Sequence, residues 1–548
     1  MTALDLSFNA DLSIKHSKIF NTLARSKIKN FNKIIGKLYY SVDDENFLLW
    51  VLSFASSRNP FSSKVFYYYL SSFFLKKIIK QNKFKAVIVD SIIQKKIYQR
   101  IIKKNNKNIK IILKREKSIN SKIKFLKFFL RFLIIKISKF FEKKKFVSKQ
   151  ISLLMTYVID GYVLKSRYFP HLFENIKKKN NIFFVPNIAI FKFSAFIKNL
   201  FLIRKDKNFI LKEDFITFSD LFSILKTNNK IKKIFNKDHS INDFLLTDLI
   251  IEDLLNQENS YAYLESYLNY LFIKNLKTKG TKIKTSIVWF ENQPLERSWS
   301  YAINKYHKNT KNIGYMGIVP ADMYISQDHT LPEDRKFNII PKIIFTIGNY
   351  FKHNIKKYDS KLVTKTVSAL NFQHLFKKQI INKKKQILVA LPMLKNDSNN
   401  ILKVCKNLMD KNFFCNYKLI VRPHPTFNIT HIKNQLKKLN IRNSQIDHNH
   451  HFFDSLKESY FFFGGMSSTC LEAIILNVPT IIFKNNDFLN CSCVPKFISD
   501  KLYLYSNDNK EISKFIIENK NRKKKLSDKI KNNCFKIVSN NLMNEFNL

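Results

Sequence analysis

Three short segments of this chain combine residue types that do chemistry on phosphates and hydroxyls. The first is Tyr460 to Phe483, YFFFGGMSSTCLEAIILNVPTIIF. Its apolar run reads as a buried strand and the Gly464-Gly465 pair as a tight turn, with Ser467, Ser468 and Thr469 at the start of a helix. Free backbone N–H groups and the helix dipole at such a start favour a phosphate. Glu472, one turn further in, is placed to meet ribose hydroxyls. A capping box, Thr469-x-x-Glu472, would account for two of these residues with no ligand, but it needs neither the glycine pair nor the extra serines. The second segment is Leu419 to Pro425, LIVRPHP. Arg422 and His424 follow a strand directly, and Pro423 and Pro425 fix the backbone between them, which suits a contact to a nucleotide base or phosphate. The third is Trp289 to Trp299, WFENQPLERSW. Glu291 closes an apolar strand, where burial raises a carboxyl pKa and equips it as a general base. Asn292 and Gln293 add amides suited to sugar hydroxyls, and Tyr315 and Gly317 follow closely in sequence. The bland alternative is helix capping, with Glu296 and Arg297 paired on the surface.

Parallel α/β structure is what would hold these segments. Lys85 to Asp90 and Ile109 to Leu113 read as strands around a helix at 91–104, and Thr156 to Leu164, Ser286 to Phe290, Lys311 to Gly317 and Lys342 to Gly348 read as further strands. The same alternation recurs with strands at 386–391, 417–422, 459–463 and 480–483. Two domains are expected, 1–335 and 336–548, with a helical, Lys-rich insertion at about 205–283. Only eight glycines occur, and five of them (Gly314, Gly317, Gly348, Gly464 and Gly465) fall at predicted strand ends, where ligands bind in open α/β sheets.

Composition bounds the rest. At 548 residues with 45% hydrophobic content, the chain has material for two cores, which excludes wholesale disorder. The net charge of +55 suits nucleic acid, an anionic membrane or an acidic substrate, though the abundance of Lys, Asn, Ile and Phe also fits a bias towards A/T-rich codons. The stretch 121–146 reads as a basic amphipathic helix suited to an anionic bilayer surface, with Lys124, Lys127, Arg131, Lys139 and Glu142 on one side and Phe125, Phe129, Phe132, Ile135 and Phe140 on another; an ordinary helix covering a sheet is the competing account. The six cysteines show no metal spacing and are expected to be reduced thiols. No signal peptide and no membrane span are expected, which suggests a cytoplasmic chain, peripheral on the inner face of the membrane.

At its motifs the chain resembles the GT-B superfamily of bacterial surface-carbohydrate enzymes: sialyltransferases, capsule Kdo transferases and CDP-glycerol glycerophosphotransferases. That group has a His-Pro pair contacting the nucleotide and a Ser-Ser/Thr pair contacting its phosphate, and His424-Pro425 and Ser467-Ser468-Thr469 match these in kind and order. The first half is similar to a family of surface carbohydrate biosynthesis proteins. There the matches are Trp50 with Ala55-Ser56-Ser57-Arg58-Asn59-Pro60, Asp160 with Arg167-Tyr168-Phe169-Pro170, and Glu291-Asn292-Gln293 with Glu296-Arg297. The resemblance implies two Rossmann-like domains facing each other across a cleft. It implies a metal-independent, inverting glycosyltransferase with no cofactor, taking a nucleotide sugar (CMP- or CDP-linked among the candidates) to a lipid-linked glycan or surface polysaccharide such as capsule or O-antigen. Arg58, Asn59, Asp160, Asn292, Gln293, Tyr315 and Gly317 would then face the acceptor. The acidic D/E-D/E-G motif of some sialyltransferases is missing, and Glu291 stands in as the base. CDP-polyol phosphate transfer on the same fold, or a non-catalytic basic protein binding nucleic acid or membrane, are the alternatives; no specific nucleic-acid-binding module is recognisable.

Overall fold

The computed structural model describes residues 3–548 apart from 9, 82–83, 115–120, 143–148, 160–161, 164–166, 177–178, 180, 227, 236–239, 242–243, 259, 378–382, 394, 414–415, 425–428, 448–450, 485–488 and 520–527. The first strands are β1 (Ala3–Asp5), β2 (Ala86–Val89) and β3 (Lys110–Leu113), followed by β4 (Gln150–Val158), β5 (Ile182–Ile188) and the short pair β6 (Ser240–Ile241) and β7 (Phe244–Leu245). Then come β8 (Lys282–Trp289), β9 (Lys311–Met316), β10 (Ile343–Thr346) and β11 (Val363–Thr366). The last group is β12 (Gln386–Ala390), β13 (Lys418–Arg422), β14 (Ser444–Ile446), β15 (Phe461–Gly464), β16 (Thr480–Ile482) and β17 (Tyr503–Tyr505). Strands such as FFFG and QILVA are apolar on both faces because helices cover both sides, the arrangement that parallel strands require.

Two six-stranded parallel sheets dominate, ordered β11-β10-β9-β8-β4-β5 and β14-β13-β12-β15-β16-β17. The expected α/β architecture, two Rossmann-like sheets facing across a cleft, is the one adopted. In the second sheet the strand order reverses between β12 and β15, and in the first between β4 and β8. Such reversals open a crevice at the carboxyl ends of the strands. Alternate residues of the second sheet serve different cores: Leu388 and Phe462 join the large core of the first half, whereas Val389 and Phe463 join a smaller one on the other face.

Several expectations need correction. Strands 86–89 and 110–113 do not extend the first large sheet; with β1 they form a separate three-stranded sheet, β1-β2-β3. The strand expected at 156–164 lies earlier, at Gln150–Val158. The change of sheet falls between β11 and β12, not at 335, because β10 and β11 add in register to β9. The run 205–283 is mostly helical, but its helix Tyr261–Thr278 is an integral layer that packs Phe272 on Trp299 of the helix Pro294–Tyr306, with ring centroids 5.8 Å apart.

The chain also returns. Lys536 N–H donates to Ile347 O at 2.7 Å, Thr285 Oγ1 donates to Asn547 O at 2.8 Å, and Phe546 packs edge-on against Tyr315. Gly348 is explained by this return and not by the cleft: a Cβ there would lie 2.0 Å from the Cys534 carbonyl oxygen. Gly314 sits within β9 against Pro341 and Phe290, so it too serves packing. Among the described residues no helix is long and apolar enough to cross a membrane.

Candidate active site

Both crevices open onto one cleft of about 1330 Å³. The first sheet contributes Tyr162, Arg167, Trp289, Glu291 and Gly317 to its walls, and the second contributes Pro392, Arg422, His424 and residues Gly465 to Thr469. The 422–424 and 465–472 segments, far apart in sequence, therefore converge. Parallel pairing of β12 with both β13 and β15 brings their carboxyl ends side by side.

On the second wall the helix Ser468–Ile475 starts at the cleft. Its cap is Ser467, whose hydroxyl accepts from Thr469 N–H at 3.3 Å and from the Thr469 hydroxyl at 2.9 Å. The capping box imagined for Thr469 and Glu472 is thus absent from this helix. Glu472 turns instead to His374, with its Oε2 2.8 Å from the ring Nε2. Arg422 pairs with the buried carboxylate of Asp447 at 2.9 Å and lies over the Phe452 ring, so its fork is pinned at the cleft wall. Burial, reinforced by the charge of Arg167 on the opposite wall, lowers the pKa of His424 and favours the neutral ring.

On the first wall Glu291 is half-buried. One carboxyl oxygen accepts from Trp289 Nε1 at 2.8 Å and the other from Gln327 Nε2 at 3.1 Å. Burial pushes its pKa up and the two hydrogen bonds oppose the shift. The outcome is a fixed carboxyl with enhanced basicity at the cleft surface. Gly317 makes room for this arrangement, because a Cβ there would meet the Trp289 ring at 2.4 Å. Tyr168 packs edge-on against the same indole, centroids 4.8 Å apart.

Other expected residues do not reach the cleft wall. Arg58 is fully buried, bonded to Asp334 at 2.9 Å and to His329 O at 2.5 Å. Asn59 holds Gln293 Oε1 at 2.7 Å and the Tyr324 hydroxyl at 3.1 Å, so it supports the wall from behind. Asn292, in the left-handed region at φ 57°, donates to Ser326 O and accepts from Arg297. Gln293 caps the helix Pro294–Tyr306. Tyr315 is buried, and its hydroxyl donates to Ser368 O at 3.0 Å. Glu296 and Arg297 are not a surface pair. Both are buried, Glu296 against Tyr157 at 2.5 Å and Arg297 against Asp334 at 3.1 Å. Burial raises the Glu296 pKa to about 8, with the nearby Glu291 adding to the shift. Burial also pushes Asp334 up, but Arg297 and Arg58 outweigh it and hold that carboxyl below its usual range. Asp160 and Pro425 lie outside the described residues.

His374, Gln327, Tyr324 and Arg167 line the cleft without having been singled out as site residues. Arg167 lay within the matched RYFP stretch and was findable. His374, on the 3-10 turn Leu370–Phe376 between the sheets, carried no sequence signal.

No protein-family model matches the chain, and no curated protein does. Solved structures with a loosely similar fold include Methanocaldococcus jannaschii UDP-GlcNAc 2-epimerase in complex with UDP-GlcNAc and UDP, at 10% identity over 71% of this chain and 96% of that one, TM-score 0.40. The lipopolysaccharide outer core galactosyltransferase WaaB matches at 13% identity over 73% and 98%, TM-score 0.38. Neisseria meningitidis UDP-GlcNAc 2-epimerase bound to UDP-GlcNAc matches at 11% over 67% and 91%, TM-score 0.37.

Proposed function

We propose that the chain is a nucleotide-sugar-dependent glycosyltransferase acting on a lipid-linked or polysaccharide acceptor at the inner face of the cytoplasmic membrane. The supporting observation is the opposition of two strand-order reversals across one cleft, with a phosphate-type helix start on one side and a basic carboxyl on the other. In this reading the nucleotide lies against Arg422 and His424. The leaving phosphate meets the free N–H groups and hydroxyls around Ser467, Ser468 and Thr469, which stabilise the charge that develops on it. Glu291 takes the proton from an acceptor hydroxyl. The acceptor oxygen then bonds to the anomeric carbon as the bond to the donor phosphate breaks, with inversion. The His374–Glu472 contact would open or shift if Glu472 is to reach the donor ribose. The chemistry is read as metal-independent, with the nucleotide sugar as substrate and no cofactor.

The test is thermal shift with CMP-, CDP-, UDP- and GDP-sugars and CDP-glycerol, followed by product mass. A stabilising nucleotide sugar whose sugar appears on an acceptor supports the reading, and transfer from CDP-glycerol would redirect it to polyol phosphate. No stabilisation by any nucleotide would remove the donor site.

A further inference from the structure

The helix Ser121–Ile137 is amphipathic in a way its sequence does not announce. Phe128, Phe132 and Ile135 are buried against the protein, with Phe125 and Phe129 half-buried beside them, so the aromatic face noted in the sequence is mostly consumed by packing. Arg131 is not a solvent-facing charge either. Its guanidinium donates to Ile188 O and to Ile190 O, and lies 4.1 Å from the Phe196 ring centre. A second apolar row stays exposed: Ile123, Leu126, Leu130 and Ile137. At about 100° per residue these fall within roughly 60° of one another, with Lys122 and Lys127 on either side. The row continues into Phe140, 89% exposed, and Phe141, whose ring packs on exposed Phe201 of the neighbouring helix Phe193–Lys205. The loop that Arg131 holds and the helix start after it present Phe191 and Phe193, 77% and 66% exposed.

Soluble surfaces rarely gather this many exposed large apolar side chains. The exposed charge on the two segments that carry them is nearly all positive. The segments 121–142 and 190–205 contain a single acidic residue, Glu142, which lies 3.8 Å from Arg204, whereas Lys122, Lys127, Lys139, Lys192, Lys198 and Lys205 are exposed. A second copy of the chain would set lysines against lysines across the two-fold axis such dimers use. Nucleic acid would match the lysines but leave the exposed Phe, Leu and Ile in water. An anionic bilayer satisfies both, since apolar side chains enter the headgroup boundary while lysines reach lipid phosphates.

We infer that the row Ile123–Leu126–Leu130–Ile137, with Phe140, Phe141, Phe191 and Phe193, is a docking surface for the interface of an anionic lipid bilayer. Its carbonyl contacts place it at the carboxyl end of β5, the neighbour of β4, and the segment after β4 supplies Tyr162 and Arg167 to the cleft. A lipid-linked acceptor would thus meet the cleft from its own membrane. That last link rests on the proposed function, but the surface does not.

The experiment is flotation of the full chain with vesicles of equimolar phosphatidylglycerol and phosphatidylcholine, and with pure phosphatidylcholine. Wild type should float with the first and not the second. Leu126→Ser, Leu130→Ser and Phe140→Ser combined should lower partitioning by about a hundredfold, and Lys122→Glu with Lys127→Glu and Lys139→Glu should abolish the dependence on anionic lipid. Circular dichroism and melting temperature must match wild type, since every substituted side chain is exposed. Failure of wild type to float, or unchanged flotation of either variant, overturns the inference. So does a concentration-dependent dimer in sedimentation that the serine variant abolishes, which would assign the face to self-association. Flotation needs no turnover, so its failure and a failure of the donor test are separable.

Discussion

The helices Pro294–Tyr306 and Ser468–Ile475 begin alike, each just beyond the carboxyl end of a parallel strand, yet their first turns are filled in opposite ways. At the first, Glu296 folds back to accept from Gln293 N–H at 2.6 Å, so the protein's own carboxyl occupies the positive end of the helix. The helix Ile92–Lys104 of the small sheet is closed similarly: Glu252, from a distant helix, accepts from Ile92 N–H at 3.0 Å and from the Ser91 hydroxyl. At Ser468–Ile475 there is no acidic residue in the first turn, only the Ser467 hydroxyl, and residues 465–469 face the cleft. All three starts present the positive end of a helix dipole. What separates a structural cap from a candidate anion site is whether the chain fills the start with a carboxyl group of its own.

The largest effect expected from this contrast falls on the opposite wall. Glu291→Gln should cut turnover by about a thousandfold while leaving the donor-induced thermal shift intact; wild-type-like turnover would remove Glu291 from the role. Next, Ser467→Ala with Ser468→Ala should reduce kcat/KM by about ten- to a hundredfold, with a stability loss no larger than the roughly 1 kcal/mol of an ordinary N-cap. A larger loss of stability than of activity would make this helix start a cap like the others.

At Glu296 the effect is on stability. Its pKa rises from the usual 4.5 to about 8 on folding, so the folded state binds the extra proton. Its stabilising contribution is complete below pH 4.5 and is lost as pH rises through 8. His329, lowered by burial and the charge of Arg58 to about 3, acts with the opposite sign and only below pH 6.5. Melting temperature should therefore fall between pH 6.5 and 8, and Glu296→Gln should flatten that slope in a pH series of scanning calorimetry. The smallest effect belongs to Glu252→Ala, a loss of about 1 kcal/mol in denaturant unfolding with donor affinity unchanged. Weakened donor binding there would undo the distinction between filled and open starts.

The sequence was most legible where a strand ends in residues that packing alone does not require. Gly465, Ser467, Arg422, His424 and Glu291 all stand on the cleft wall. It was least legible in the residues immediately after. Asn292 and Gln293 adjoin Glu291 yet point into the wall, because the left-handed turn at Asn292 sends its amide back to Ser326 and Arg297. Arg58 looked like a cleft cation because its partners, Asp334 and His329, lie about half the chain away from it in sequence. The three-stranded sheet escaped notice because β1 spans only Ala3–Asp5, too short a run to display any period. The exposed apolar row of the helix Ser121–Ile137 was half legible: composition marked 121–146, but only packing decides which apolar residues remain outside.

The return of residues 535–547 to the first sheet has a consequence for biosynthesis. The strands β8 to β11 leave the ribosome well before Phe535 and Phe546, the rings that pack on Phe372, Tyr315 and Phe345. During translation the second half can close its own small core while the first still shows uncovered apolar surface. The half made first is thus the last to be finished, and a nascent chain stalled before residue 535 would be a natural client for chaperones.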